Sequence, residues 1–212
     1  MTERSAVRQA MGNFGAWCLS KLDEPLHRML GPRKRALFAD LPSRVLEIGP
    51  GLGANFRYYP AGTHVLALEP SPFMHEGLRR TADEFELELE ILPSFAERLE
   101  LPDESVDAVV GTLVLCSVRS PEQVMAQVLR VLTPGGRFYF LEHVAGRAGT
   151  LRRGVQHALA PPWRVMFDGC EPNRDTRAVI EATGFSEVDV EDYIAESVYY
   201  PINSQIVGRA TK

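Results

Sequence analysis

The spacing of hydrophobic residues separates a helical front segment from a longer series of strands and helices. Apolar side chains recur every three or four positions near the start of the chain: Val7, Met11, Phe14, Cys18 and Leu22. A similar spacing over Leu26–Phe38 follows Pro25, so residues 1–41 are predicted to form two amphipathic helices. Because their apolar faces need a surface to cover, we expect a lid over residues 42–212 within one compact domain.

From residue 44 onward, short apolar runs alternate with stretches of helical spacing. Helices are predicted near 73–84 and 121–132. Five runs are predicted to be strands: Val45–Ile48, Val65–Leu68, Leu87–Leu92, Val106–Val110 and Arg137–Leu141. This βα succession is typical of an α/β fold with an open, doubly wound, mostly parallel sheet. Ligands then bind at the carboxyl ends of the strands.

The last third of the chain is less regular. Pro161 and Pro162 are expected to interrupt any long helix. A helix is predicted over Asp175–Thr183, closed by Gly184. The runs Ser186–Val190 and Val198–Val207 are predicted to form a terminal β-hairpin. The hairpin would complete a seven-stranded sheet.

Composition and charge narrow the class of protein. The 212 residues are 45% hydrophobic and 24% charged, which suits one globular domain of enzyme size. A net charge of −5 argues against nucleic acid as a partner. No apolar stretch reaches the roughly 20 residues of a membrane span, and the three cysteines have no CxxC spacing. We expect a cytoplasmic monomer or homodimer that makes at most peripheral membrane contact.

A glycine-rich segment follows the first predicted strand. It runs from Glu47 to Gly53 as Glu-Ile-Gly-Pro-Gly-Leu-Gly, and glycines allow a ligand to approach the backbone closely. Gly49, Gly51 and Ala54 also fit a dinucleotide-binding pattern. Glu47 would repel a pyrophosphate but would attract an amino group. Glu69, 20 residues after Gly49, is placed to bind ribose hydroxyls in either kind of cofactor site.

Further motifs are similar to those of the class I S-adenosylmethionine-dependent methyltransferases. They are Ser94–Glu97, Leu101–Asp107 and Leu132–Gly136, and the resemblance covers about residues 43–143. It implies that the loop glycines Gly49, Gly51 and Gly53 hold the methionine part of the cofactor, with Glu69 on the ribose and the Phe95–Glu97 turn beside adenine. Many members have Asp where Phe95 stands. The residues expected to bind the cofactor are Glu47, Gly49, Gly51, Gly53, Asn55, Glu69, Pro70, Phe95, Ala96, Glu97, Thr112 and Leu113.

A closer resemblance, to the methyltransferase-like 7 group, extends beyond that region. It is carried by Gly53–Phe56 with Tyr58–Pro60, Thr112–Val118, Phe138–Ala145 and Phe167–Cys170. The animal members are membrane-associated alkyl thiol S-methyltransferases, and their long apolar N-terminal anchor is missing here. The resemblance implies methylation of a small hydrophobic thiol. The alternatives are O- or N-methylation of a small molecule or lipid head group, and a non-catalytic protein that senses the cofactor.

Candidate residues for the methyl acceptor lie outside the glycine loop. His143, just after the fifth predicted strand, is placed to accept a proton near neutral pH, and Asp168 is placed to orient it. Each also has a purely structural interpretation. An apolar acceptor chamber is expected from Phe14, Trp17, Cys116, Trp163 and Phe167. The other histidines show no metal-ligand spacing, and no metal is predicted.

Overall fold

The computed structural model describes residues 21, 23–167, 169–195 and 200–212. Seven strands form one sheet in the order β3-β2-β1-β4-β5-β7-β6. All neighbours are parallel except those of β7, which pairs antiparallel with both β5 and β6. The strands are β1 (Arg44–Ile48), β2 (His64–Leu68), β3 (Glu88–Leu92), β4 (Val106–Thr112), β5 (Leu132–His143), β6 (Glu187–Ile194) and β7 (Ser204–Thr211). The predicted open, mostly parallel, seven-stranded α/β sheet is confirmed.

Helices cover both faces of the sheet. Helix α1 includes residues 23–37. The others are α2 (Pro72–Glu84), α3 (Pro121–Val131), α4 (Leu151–Met166) and α5 (Thr176–Ala182). Ser120 caps α3 by accepting a hydrogen bond from the Gln123 amide, with Pro121 in the first turn, as the sequence predicts.

Two hydrophobic cores lie on opposite faces of the sheet because neighbouring strand residues point to opposite sides. Leu46 of β1 belongs to the core shared with α3 and α5, whereas Val45 belongs to the core shared with α1 and α2. Leu30 of α1 is fully buried in that second core. The first predicted helix, in residues 1–20, lies outside the described residues. The proposed division into a lid and a methyltransferase domain stays a prediction.

Two predictions for the last third of the chain are wrong. Helix α4 continues through Pro161 and Pro162. Both prolines are exposed, so water can satisfy the carbonyls that lose their helical partners. The final strand begins at Ser204 and not at Val198, because residues 200–202 form a 3₁₀ turn that contains Pro201, which has no amide hydrogen to donate. The predicted hairpin is otherwise confirmed as β6 and β7.

Within the described residues, the longest helices are too short or too polar to cross a bilayer.

Candidate active site

The site lies where the strand order reverses, between β1 and β4. In open α/β sheets such a switch point leaves a crevice at the carboxyl ends of the two strands. Gly49, just past β1, donates its amide hydrogen to the Leu68 carbonyl at the end of β2, at 2.9 Å. Leu113, just past β4, donates to the Leu141 carbonyl of β5, also at 2.9 Å. Both loops are therefore fixed to the sheet beside the crevice.

Gly49 is required by both its conformation and its surroundings. Its φ is +61°, a left-handed conformation that side chains disfavour. A Cβ at this position would lie 2.5 Å from Cγ2 of Val114, in the loop after β4. The glycine loop and the β4 loop are therefore in direct contact.

Glu69 at the end of β2 supports the glycine loop from the side. Its Oε2 accepts a hydrogen bond from the Gly51 amide at 3.1 Å, and its Oε1 accepts one from the Ser71 amide at 2.8 Å. Each carboxylate oxygen can accept a second hydrogen bond. Glu69 is thus held beside the glycine loop, where the ribose of the cofactor is expected.

Glu47 is a buried carboxyl at the end of β1. Its Oε1 accepts from Asn55 Nδ2 at 2.8 Å, and its Oε2 accepts from the Tyr59 hydroxyl at 2.7 Å. Burial raises the pKa of Glu47 to about 7, against the opposing effects of these hydrogen bonds and of the nearby Lys34 charge. Burial likewise lowers the pKa of Lys34, on α1, to about 8.

Asn55 connects Glu47 to the end of β4. Its Nδ2 also donates to Thr112 Oγ1 at 2.9 Å. Its Oδ1 is buried and has no hydrogen-bond partner within the described part of the chain. A buried unpaired acceptor is costly, so this carbonyl suits a ligand donor such as an ammonium group. Asn55 is therefore a candidate for the amine contact, and the role expected of Glu47 stays a prediction.

The turn at Phe95–Glu97, where the adenine of the cofactor is expected, has exposed and apolar groups in place of a buried polar network. Phe95 is 58% exposed, and the Arg119 guanidinium lies 5.6 Å from the centre of its ring. Glu97 Oε1 accepts a hydrogen bond from the Arg119 amide at 2.9 Å, which ties this turn to the loop after β4. Ala96 is buried, and Pro70 is partly exposed beside Glu69. Phe95 itself has no side-chain acceptor for an adenine amino group, unlike the Asp that many members have at this position.

The loop after β4 is held in an unusual conformation. Leu113 has φ +55°, which is rare for a residue other than glycine and is found where the surroundings fix the backbone. Glu142 Oε1 accepts from the Val114 and Leu115 amides, both at 3.0 Å. Glu142 is fully buried, and burial raises its pKa to about 7. This carboxyl fixes the loop that carries Cys116.

Cys116, His143 and Cys170 meet at the same edge and are called here the sulfur–imidazole cluster. His143 Nε2 lies 3.1 Å from Cys170 Sγ, and the two sulfurs are 3.7 Å apart. Hydrogen bonding from Cys116 and His143 lowers the pKa of Cys170 to about 4, against burial, while the same sulfur contact raises that of Cys116. All three side chains are buried.

Two aromatic residues of the predicted acceptor chamber border this cluster. Trp163 Nε1 donates to Cys170 Sγ at 3.3 Å, and the Trp163 and Phe167 rings are 4.2 Å apart. The cluster therefore has an aromatic wall. Phe14, Trp17 and Asp168 lie outside the described residues, so their predicted roles stay predictions.

The structure adds residues that the sequence reasoning missed. Tyr59 and Lys34 surround Glu47, and Glu142 holds the β4 loop. Glu142 had one visible signal, a carboxylate within the apolar end of β5. Lys34 had none, because its approach to Glu47 depends on how α1 packs.

Comparison with known proteins identifies the class. A family model described as a methyltransferase domain matches residues 46–140. A Thermotoga maritima structure, titled as an S-adenosylmethionine-dependent methyltransferase and possible histamine N-methyltransferase, has a TM-score of 0.64 at 22% identity, covering 88% of this chain and 91% of that one. The chain is a class I S-adenosylmethionine-dependent methyltransferase.

Two relatives define the family. Human thiol S-methyltransferase TMT1A is 36% identical over 88% of this chain and 81% of its own length. Rat thiol S-methyltransferase TMT1B is 35% identical over 92% of this chain and 85% of its own length. This chain belongs to their family, the thiol S-methyltransferases.

The residues present fit the cofactor of this class, S-adenosylmethionine. Gly49 and Gly51 have φ values of +61° and +59°, so the loop takes a tight backbone conformation that residues with a Cβ disfavour. The unpaired Asn55 carbonyl matches the amino group of the methionine part, and Glu69 matches the ribose. The dinucleotide alternative is disfavoured, because the Glu47 carboxyl borders the loop where a pyrophosphate would lie.

Proposed function

We propose that this enzyme methylates the sulfur of a small hydrophobic thiol. The main support is the sulfur–imidazole cluster with Trp163 beside it, which lies at the same edge of the sheet as the glycine loop. Two named relatives are thiol S-methyltransferases, which supports a sulfur acceptor for this chain as well.

The chain's contribution on the cofactor side is binding and orientation. Asn55 and Glu69 would hold the amino group and the ribose, beside the tight glycine turn at Gly49 and Gly51. When bound, S-adenosylmethionine supplies an electrophilic methyl group on a positively charged sulfur. Methyl transfer is an in-line displacement, so the protein must align the acceptor and exclude water and needs no covalent intermediate.

On the acceptor side, the Trp163 and Phe167 rings supply an apolar wall for the carbon part of a thiol. A free thiol with a pKa near about 8.5 is already a few per cent thiolate at neutral pH. Only modest assistance in deprotonation is therefore needed. The buried cluster beside the wall is the group placed to give it.

A substrate panel tests this function against its alternatives. Labelled cofactor is supplied with thiols, phenols and amines of matched hydrophobicity, and transfer to each is measured. We expect transfer to thiols. Transfer to phenols or amines alone would establish O- or N-methylation instead, and tight cofactor binding without any transfer would establish a cofactor sensor.

We also propose that the enzyme acts in the cytoplasm with the predicted helices of residues 1–41 covering the pocket. The three widely spaced cysteines, which form no CxxC pair, support this location because a reducing compartment keeps thiols free. Salt-resistant co-flotation with liposomes would contradict it. Deleting residues 1–20 should raise the KM for thiols more than it lowers the Tm, and the reverse result would make them structural.

A further inference from the structure

The sulfur–imidazole cluster has the composition and spacing of a metal site. Its three potential ligand atoms all lie within 4.8 Å of one another. They come from three separate places: the loop after β4, the end of β5 and the segment after α4. No sequence spacing indicates such a site, because only the fold brings the residues together.

We propose that Cys116, His143 and Cys170 bind a zinc ion whose fourth position is taken by the acceptor thiol. This inference rests on the proposed function, because it names the group that activates the thiol. Two thiolates and an imidazole suit zinc, and three protein ligands with one open position are typical of catalytic zinc sites.

Two of the three ligand separations lie near those of a tetrahedral zinc site, and the third, between Cys116 Sγ and the His143 nitrogen, is at most 4.8 Å and must shorten by up to about 1.3 Å. Sulfur ligands at about 2.3 Å from a tetrahedral zinc lie about 3.8 Å apart, and the observed Cys116–Cys170 separation is 3.7 Å. A sulfur and an imidazole nitrogen would lie about 3.5 Å apart, so His143 Nε2 must move a few tenths of an ångström from Cys170.

The position of the cluster suits transfer to a bound thiol. Cys116 lies three residues after Leu113, and its Sγ is 3.5 Å from the Leu113 carbonyl oxygen. The same loop contacts Gly49 through Val114 and Asn55 through Thr112. A thiol bound to the cluster is therefore close to the loop that holds the methyl donor, with Trp163 beside it.

The proposed step is balanced. The acceptor R–SH binds zinc as a thiolate and releases its proton to solvent. A lone pair of the acceptor sulfur forms the new S–CH₃ bond while the methyl–sulfonium bond breaks, and that electron pair remains on the sulfur of S-adenosylhomocysteine. The neutral thioether product is a weaker zinc ligand than the thiolate and leaves. His143 then acts as a ligand, in place of the general base suggested by its sequence position.

The first test is metal analysis of the full chain purified from zinc-supplemented medium. We expect about one zinc per chain in the wild type and at least an approximately 10–100-fold weaker affinity in Cys170→Ser and His143→Ala. His64→Ala is the matched control and should retain zinc. His64 is the first residue of β2, so it lies at the amino end of the parallel strands, whereas the cluster lies at their carboxyl ends. Zinc retained in both cluster variants would overturn the proposal.

A second measurement avoids dependence on variants that fail to fold. Metal-free wild type is titrated with Co²⁺, and we expect thiolate-to-cobalt charge-transfer absorption and intense tetrahedral ligand-field bands. Addition of a thiol substrate should change both. Cobalt binding without thiolate bands would overturn the site.

The activity of metal-free enzyme separates this proposal from the proposed function. Thiol methylation at the same rate with and without zinc would overturn the zinc role and leave the proposed function standing. A cobalt spectrum of the expected kind without methylation of any thiol would support the metal site and overturn the proposed function. Recovery of thiol methylation on adding zinc, with unchanged S-adenosylhomocysteine affinity, would support both.

Discussion

The cofactor side and the acceptor side of the active site consist of different chemical groups. The cofactor side is a network of carboxylates, an amide and backbone groups around Glu47, Asn55 and Glu69. The acceptor side is two sulfurs, one imidazole and aromatic rings around His143 and Cys170. The difference matches the ligands. A cofactor with an amino group and ribose hydroxyls is held by oxygen acceptors, whereas a hydrophobic thiol is matched by soft, weakly hydrated groups.

If the cofactor side and the acceptor side work independently, His143→Ala should slow methyl transfer without weakening cofactor binding. We expect turnover to fall by roughly 10²–10⁴-fold with S-adenosylhomocysteine affinity nearly unchanged. His64→Ala should behave like the wild type in both measurements. An equal loss of cofactor affinity would contradict the separation.

The pH profile of His143→Ala sharpens the result. If His143 is a general base, the defect should be greatest for the least acidic thiol and should shrink as pH rises from 6 to about 9. If His143 is a zinc ligand, the defect should follow zinc loss at every pH. A uniform defect in protein that retains zinc would indicate lost packing.

Glu47 should give the cofactor side a distinct pH dependence of stability. Its pKa is raised to about 7, so between pH 4.5 and 7 the native state binds more protons than the unfolded state. The free energy of unfolding of wild type, relative to Glu47→Gln, should therefore be highest below pH 4.5 and fall by on the order of 3 kcal/mol as pH rises above 7. Denaturant unfolding at several pH values measures this difference.

Glu88→Gln provides the control for that series, because Glu88 is an exposed residue at the start of β3. Its difference from wild type should be nearly constant over the same pH range. If the difference in free energy of unfolding between wild type and Glu47→Gln is also constant with pH, then the pKa of Glu47 is not raised in the native state.

Glu69→Ala should weaken the cofactor side without changing the acceptor preference. We expect S-adenosylhomocysteine binding, measured by calorimetry, to lose about 1.5–3 kcal/mol, since ribose contacts and the Gly51 support are both removed. Glu84→Ala, at the exposed end of α2, is the control and should bind as the wild type does. Saturable binding of NAD with no response to S-adenosylhomocysteine would contradict the assignment.

The smallest effect is expected for Trp163→Phe on the acceptor side. The change keeps an aromatic ring beside Phe167 and removes the Nε1 hydrogen bond to Cys170. We expect kcat/KM for thiols to fall roughly fivefold, which corresponds to about 1 kcal/mol of lost transition-state stabilisation. Cofactor affinity should be unchanged. The matched control is Tyr193→Phe on β6, which loses a hydrogen bond to Gln205 of β7 and should be neutral in this assay. An unchanged kcat/KM would separate Trp163 from the acceptor site.

The sequence by itself determined most of the fold and the cofactor side. The succession of strands and helices along the chain and the positions of Glu47, Gly49 and Glu69 follow from periodicity and from one glycine loop, because these signals are local in the chain. Local patterns gave a wrong prediction at Pro161 and Pro162, because the helix is exposed there and water can bond the carbonyls that lose their partners. They also placed the start of β7 too early.

Only the tertiary structure decided how the acceptor side is assembled. Cys116, His143 and Cys170 are separated by 27 residues at each step, and no pattern in the chain marks them as neighbours. The same holds for Lys34 beside Glu47. Contacts between distant segments depend on how helices and loops pack across the sheet, and that packing is a property of the whole fold.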